Sequence, residues 1–237
     1  MPHKFQMPKS YVDRLVQRQG REHTVEHFQD PKKTALVVID MQNYFMHDSQ
    51  QSCVPMAREV VDNVNKLAAA TRAAGGKVIW VQNFSPYPSK DNWDKLKERY
   101  TPEGSKLRWE SMQKDAFGFE LWPTLDVKPE DLRVTKRRFS AFIQGSSDIE
   151  IQLKDYNIDT IMVSGVATNV CCESTARDAM MLNFKTIMVT DGNAAVTDEL
   201  HNASLIAFYT TFGDIMSTDF AVECLKRNVK KELAAAE

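Results

Sequence analysis

No apolar run in this sequence approaches the ~18 residues of a membrane span, and its opening decapeptide, MPHKFQMPKS, has no apolar signal core. The chain is therefore read as cytoplasmic, with no membrane as partner. Cysteine is scarce: Cys53, Cys171, Cys172 and Cys224 have the spacing of neither a disulfide framework nor a C-x2-C zinc site, so reduced thiols are expected. An excess of one charge is missing too. Thirty Lys and Arg against 32 Asp and Glu leave a net charge of -2, well mixed along the chain. Without a basic stripe, nucleic acid is not an expected partner. Internal repeats are absent, and the one low-complexity stretch is the Ala-rich end AAAE, read as a frayed helix terminus.

What is present is enough apolar material for a core. A hydrophobic fraction of 43% with 26% charged residues is that of an ordinary folded protein, and 237 residues suit one α/β domain. Residues 1–31 are polar and irregular apart from a short helix over 10–19, and are read as an amino-terminal arm on a domain of 32–237. TALVVID is an almost wholly apolar, β-branched run that suits a strand buried on both faces. Residues 54–74 carry Val60, Val61, Val64, Leu67 and Ala68 at helical spacing and meet a stop at Gly75-Gly76. KVIWVQN and DLRVTK read as strands two and three. SSDIEIQLKDYNI reads as a helix opened by Ser146 or Ser147, and DTIMVSGV as strand four. A helix from NVCCESTARDAMMLN follows, then strand five in KTIMVTDG, a helix capped by Thr197, a short sixth strand in DIMST, and a closing helix over 222–233. Strands alternating with helices imply parallel pairing with right-handed crossovers, hence a three-layer αβα sandwich around a six-stranded parallel sheet.

Such sheets hold their sites at the carboxyl ends of the strands. Strands one, three and four end near Asp40, Lys136 and the loop before Cys171. Thr168 or Asn169 is expected to cap the next helix, which places Cys171 in its first turn, where the positive helix end and a nearby lysine favour a thiolate. Asp40 supplies a carboxylate able to take the thiol proton and return it to a leaving amine, with Lys136 holding both charges. Backbone N–H groups around Ala167 and Cys171 are candidates for the oxyanion. Taken singly, each residue has a plainer reading: a buried cysteine is a small hydrophobe, an aspartate closes a strand, a lysine within KRR is a solvated charge. Their joint placement at three strand ends points to acyl transfer from an amide.

Three stretches carry a resemblance: ALVVIDMQNYF with Asp40, VTKRRFSAF with Lys136, and SGVATNVCCESTARDA with Cys171. Over residues 33–219 the chain resembles the isochorismatase-like cysteine hydrolases, a superfamily that includes nicotinamidase, N-carbamoylsarcosine amidohydrolase and ureidoacrylate amidohydrolase. The resemblance implies Asp40 as base, Lys136 as site lysine, Cys171 as nucleophile and a non-prolyl cis peptide at Val166-Ala167 that turns amides toward the oxyanion. It also implies assembly as a homodimer or homotetramer. Cys172 stands where the family commonly has valine. Gln42 stands where metal-dependent nicotinamidases have histidine, so neither a bound zinc nor any other cofactor is expected. Isochorismatases proper, which hydrolyse a vinyl ether, lack the cysteine, so Cys171 favours C–N cleavage. VQNF with Asn83 and KRRFSAF are similar to the ureidoacrylate and N-carbamoyl hydrolysing group, with Phe139 in place of its tyrosine and Ser85 in place of its tryptophan.

The implied substrate is a small carboxamide or a ureido or N-carbamoyl compound, and Val166, Ala167, Asn83, Phe139, Ser140 and Gln42 are the candidate substrate and oxyanion contacts. Vinyl ether hydrolysis, and a non-catalytic binding module with redox-sensitive cysteines, remain the rival readings. Residues 85–122 are too long for an ordinary connection and hold Trp93, Trp109, Phe117, Phe119 and Trp122. They read as a lid, a subunit contact, or a surface helix over 92–100 anchored by its aromatics. Arg137 and Arg138 are either carboxylate binders or solvated charges, while Ser140 and Phe142 line the pocket or pack beneath it. His47 and His201 fall at no strand end beside Cys171. Glu173 and Arg177 form an i, i+4 pair, read as structural support or part of a subunit interface.

Overall fold

The computed structural model describes residues 3–25, 30–85 and 93–236, with side chains through residue 229. Its strands are β1 (Thr34–Ile39), β2 (Lys77–Asn83), β3 (Leu132–Lys136), β4 (Thr160–Val166), β5 (Lys185–Ala194) and β6 (Asp214–Met216). They form one sheet in the order β3-β2-β1-β4-β5-β6, and every pairing is parallel. The helices, in chain order, are α1 (Lys9–Gln19), α2 (Asn43–Met46), α3 (Met56–Glu59), α4 (Val61–Ala73), α5 (Asp94–Lys97), α6 (Pro102–Ser111), α7 (Ile149–Asp155), α8 (Glu173–Met181), α9 (Asp198–Thr211) and α10 (Thr218–Ala236). The expected αβα sandwich is the observed one. Among the described residues no helix is long and apolar enough to cross a membrane.

Successive strand residues face opposite sides of a sheet, and both sides are covered here. Leu36 and Val38 pack with Trp80, Met162 and Ile187 against α4 and α10, whereas Ala35, Val37 and Ile39 pack with Val81, Val163 and Met188 against α7, α8 and α9. This two-sided burial is why β1 reads as one unbroken apolar run. β2 and β3 lie to one side of β1 and β4 to β6 to the other, so the winding reverses between β1 and β4. The two strands approach closely at Gly165, where φ is +124° and a Cβ would stand 2.1 Å from the Ile39 carbonyl oxygen. Only glycine fits there.

Local departures from the sequence reading have local causes. The helix expected over 54–74 is interrupted at Val60 (φ -99°, ψ -2°), which lets the adjacent Val60 and Val61 both turn inward. The helix expected from Ser146 begins at Ile149, because the serines stitch the preceding loop: Ser146 Oγ donates to Ser140 O (2.6 Å) and Ser147 Oγ to Ala141 O (2.7 Å). It ends before Asn157, which adopts the left-handed conformation that asparagine tolerates. Thr197 caps α9 as expected, accepting from Leu200 N. α10 starts earlier than the pattern suggests, since Asp191 accepts from both the backbone N–H and the hydroxyl of Thr218.

Two segments beyond the sandwich are tied down. The amino-terminal arm lies along α9 and β6: Leu15 is buried, Arg18 donates to Thr210 O, and the amides of Thr24 and Val25 donate to the Asp214 carboxylate at 3.1 and 2.5 Å. The insertion between β2 and β3 folds as α5, α6 and a 3-10 turn at Phe117–Phe119, with the start of the expected 92–100 helix lying outside the described residues. Asn43 N donates to Glu120 O and Trp122 N to Met41 O, both at 2.9 Å, so the insertion is laced to the segment that follows Asp40.

Candidate active site

Asp40 is the residue after β1, at the reversal between β1 and β4. Its φ of +55°, a conformation aspartate tolerates better than most residues, turns the chain out of the strand while its N–H still donates to Val81 O at 2.8 Å. Lys136 ends β3, in register with Asn83 at the end of β2. Cys171 lies just beyond β4. All three sequence candidates therefore reach one place, and all three are buried: Asp40 and Lys136 are fully enclosed and Cys171 is 4% exposed.

Lys136 Nζ stands 2.8 Å from Asp40 Oδ2 and donates to Arg138 O at 2.9 Å. No donor is fully aligned on either Asp40 oxygen, so proximity to the ammonium, with the Cys171 thiol beside the same carboxylate, is what balances the charge. Burial, the largest influence on Asp40, raises its pKa above the ordinary carboxylate value against the opposing pull of Lys136. For Lys136 burial works against the charge, and the combined attraction of Asp40 and Cys171 outweighs it, leaving the pKa raised. The result is an ion pair whose carboxylate binds a proton more readily than a free one, as a general base requires.

The turn that carries Cys171 departs from two expectations. Residues Thr168–Cys172 form a π-helical turn ahead of α8, and neither Thr168 nor Asn169 caps it: the residue at the cap is Ala167, which makes no side-chain bond. The environment of Cys171 also runs against the expected thiolate, through burial. Burial pushes its pKa up to about 12; Lys136 draws it down, but the Asp40 carboxylate adds to the rise. Burial likewise raises Cys172, which is fully enclosed. The peptide Val166-Ala167 is cis.

The remaining candidates divide. Asn83 is buried beside Lys136, and its Nδ2 has no hydrogen-bond partner among the described residues. Gln42 is engaged with the backbone instead: Nε2 donates to Asn83 O (3.1 Å) and Phe119 O (3.0 Å), and Oε1 accepts from Asn83 N (2.6 Å). It braces the end of β2 against the insertion. Phe139 packs edge-on to Trp93, and Ser140 Oγ accepts from Phe142 N, both along a groove with Ile143, Arg177 and Met181. Glu173 and Arg177 pair within α8 as expected, and Ser204 Oγ donates to Glu173 at 2.6 Å. Among the described residues no group of three His, Cys, Asp or Glu side chains is arranged to hold a metal ion.

Sequence reasoning missed Arg108 and set His201 aside. Arg108, on α6, is 6% exposed and its charge is felt at both Asp40 and Cys171. A lone arginine in a charged, aromatic stretch gave no periodic signal for this. His201, fully buried, hydrogen-bonds through Nδ1 with the Thr168 hydroxyl at 2.9 Å, at the start of the turn that carries Cys171, and His3 of the arm stacks on it at 4.4 Å. His47 remains near the surface beside Ser49.

The family model for the isochorismatase domain matches residues 34–220. The chain belongs to the isochorismatase family. Within it this is an isochorismatase-like cysteine hydrolase. It is 34% identical over 203 residues to the ureidoacrylate amidohydrolase RutB of Pseudomonas savastanoi pv. phaseolicola, covering 80% of this chain and 82% of that one. It is also 34% identical, over 83% of its own length and 96% of the other's, to the isochorismatase family protein YwoC of Bacillus subtilis. Among solved structures, a cysteine hydrolase from Pseudomonas syringae pv. phaseolicola superposes with a TM-score of 0.76 at 26% identity, over 84% of this chain and 94% of that one. The N-carbamoylsarcosine amidase of Thermoplasma acidophilum gives 0.63 at 25% identity, over 78% and 96%.

Proposed function

We propose that this isochorismatase-family hydrolase is a cysteine amidohydrolase that cleaves a C–N bond of a small carboxamide, ureido or N-carbamoyl compound through a thioester. The observation that carries the reading is the shared burial of the Asp40 carboxylate, the Lys136 ammonium and the Cys171 thiol at the sheet's reversal point. Amidohydrolases and amidases among its relatives support the same reaction class.

Because the thiol rests protonated, Asp40 takes its proton as the sulfur attacks the carbonyl carbon. Lys136 compensates the negative charge that passes between sulfur and carboxylate. The tetrahedral oxyanion faces backbone N–H groups of Ala167 and Cys171. As the C–N bond breaks, Asp40 returns the proton to the leaving amine or ammonia. Water then attacks the thioester with Asp40 again as base, the C–S bond breaks, and the sulfur recovers its proton. The sequence of steps calls on no metal or cofactor. Assembly as a homodimer or homotetramer and a cytoplasmic setting complete the proposal.

A panel of carboxamide and N-carbamoyl compounds assayed for ammonia or amine release tests it, with intact-protein mass spectrometry to trap the acyl group on Cys171. Release by the wild-type chain and its loss in Cys171→Ala are expected. No release across the panel, or full turnover in Cys171→Ala as a non-covalent vinyl ether hydrolase would show, overturns it.

A further inference from the structure

The turn that carries Cys171 is gripped from α9 at both of its ends. At its start the Thr168 hydroxyl pairs with His201 Nδ1 at 2.9 Å, and the Thr168 carbonyl oxygen lies 3.3 Å from Ser204 Oγ. Just past its end, Glu173 accepts a hydrogen bond from the same Ser204 hydroxyl at 2.6 Å. His201 and Ser204 stand three residues apart, on one face of their helix. Within the turn, the amides of Val170 and Cys172 both donate to Ala167 O, at 3.1 and 3.2 Å. A π-helical turn is a rare local structure, and Ala167 at its cap makes no side-chain bond, so what α9 supplies is what fixes its shape.

His201 is itself held by the amino-terminal arm. Its buried ring has His3 stacked on one face, centroids 4.4 Å apart and planes 21° from parallel, and Phe5 edge-on at 6.5 Å. His3 is clamped in turn: Nδ1 pairs with the Asp198 carboxylate at 2.6 Å and Nε2 accepts from Ala195 N at 2.9 Å. An ionised carboxylate only accepts, so the proton of His3 sits on Nδ1 and leaves Nε2 as the acceptor. The arm is strapped to the same helix on either side of this stack, with Gln6 N donating to Asn202 Oδ1 and Asn202 Nδ2 to Lys4 O, both at 3.0 Å. The ring torsion of a histidine is soft, and covering the face of His201 removes that freedom.

We infer that the amino-terminal arm is part of the centre around Cys171: His3 fixes the ring of His201, and His201 is a positioning residue that sets Thr168, and with it the Cys171 thiol, against Asp40. The effect on turnover rests on the hydrolase reading, whereas the link itself stands on the contacts. Neither histidine touches the reacting atoms, so their loss acts on the rate of the chemical step and not on the affinity for substrate.

Two readouts on the full chain test this. The first needs no substrate: hydrogen exchange at the amides of Val170 and Cys172, measured against Val163 and Met188 in β4 and β5, which report overall stability. In His201→Leu and His3→Ala the turn amides are expected to exchange about 10-fold faster relative to the strand amides. His201→Asn, whose side-chain amide falls where Nδ1 stood, is expected to restore most of the wild-type ratio. The second is kcat and KM on the carboxamide or N-carbamoyl compound that the wild type turns over fastest. Thr168→Val and His201→Leu are each expected to lower kcat by about 100-fold with KM unchanged, and the double variant no further, because the two side chains act as one link. His3→Ala is expected to lower kcat by about 10-fold. If His201→Leu does not fold, Thr168→Val, which keeps the shape of the side chain, carries the exchange comparison. Turn amides that hold their wild-type ratio in His3→Ala, equal acceleration of turn and strand amides, or multiplying losses in the double variant overturn the proposal and leave the hydrolase reading standing. A loosening confined to the turn, in a protein that hydrolyses no amide of the panel, counts against the hydrolase reading and leaves the arm's grip on the turn in place.

Discussion

Lys136 Nζ and Asp40 Oδ2 lie 2.8 Å apart with both side chains fully buried, which joins the end of β3 to the end of β1 through an ion pair closed to solvent. Removing one member of such a pair leaves an uncompensated charge, whereas replacing both with neutral groups does not. Asp40→Asn and Lys136→Met are each expected to cost about 3 kcal/mol in urea unfolding, and the double variant less than the sum. Turnover is expected to fall by about 1,000-fold or more in all three, since a positioned base contributes about 100- to 10,000-fold. Additive costs in the double-mutant cycle would show that the two side chains do not act as a pair.

The protonation of Cys171 is a second point of test. With its pKa pushed up to about 12, the thiol does not ionise near neutrality in the free protein. The difference in ultraviolet thiolate absorbance between wild type and Cys171→Ser is expected to stay flat over roughly pH 6 to 9, the range in which an ordinary cysteine titrates. A step within that range would mean a preformed thiolate and a different first step.

His201 gives a pH dependence of stability. Burial first, and the neighbouring His3 second, lower its pKa from 6.5 to about 4, with the Thr190 backbone and then Asp198 acting in the opposite sense. The folded state therefore holds the neutral ring while the unfolded chain takes up a proton below 6.5, so this contribution is complete above pH 6.5 and is lost as pH falls toward 4. The full loss is about 3 kcal/mol. Urea unfolding at the two ends of that window should show a steeper decline for the wild type than for His201→Phe; identical slopes would remove His201 as the cause.

At Gly165 the expected effect is steric. An added Cβ meets the Ile39 carbonyl oxygen at 2.1 Å in a left-handed region closed to alanine. Gly165→Ala is expected to destabilise by about 2 kcal/mol or more and to lower turnover by shifting β4 against β1. A calorimetric midpoint equal to that of the wild type would show that the strands yield without cost.

The parallel sheet was legible because a strand buried on both faces must be apolar along its length, as β1 and β4 are, and because the intervening helices carry their own periodicity and caps, as at Thr197. Ends were less legible. The break at Val60 and the late start of α7 depend on inward packing and on serine hydroxyls reaching back to a loop, neither of which leaves a mark on the local pattern. Asp40, Lys136 and Cys171 were readable as a group since each follows directly from where its strand stops. Gln42 shows where that legibility stops: its position beside Asp40 is local, but its engagement with Asn83 and Phe119 is not.

By itself the sequence determined which residues form strands, in what order, and which polar side chains stand at their carboxyl ends. The tertiary structure alone decided the enclosure of the Cys171 thiol, the burial of Arg108 and the link from His3 through His201 to the turn that carries Cys171. The physical reason is the same in each case. Periodicity reports which side of an element faces the core, whereas a proton's affinity depends on how much water and charge surrounds it, and that is fixed by segments distant in the chain.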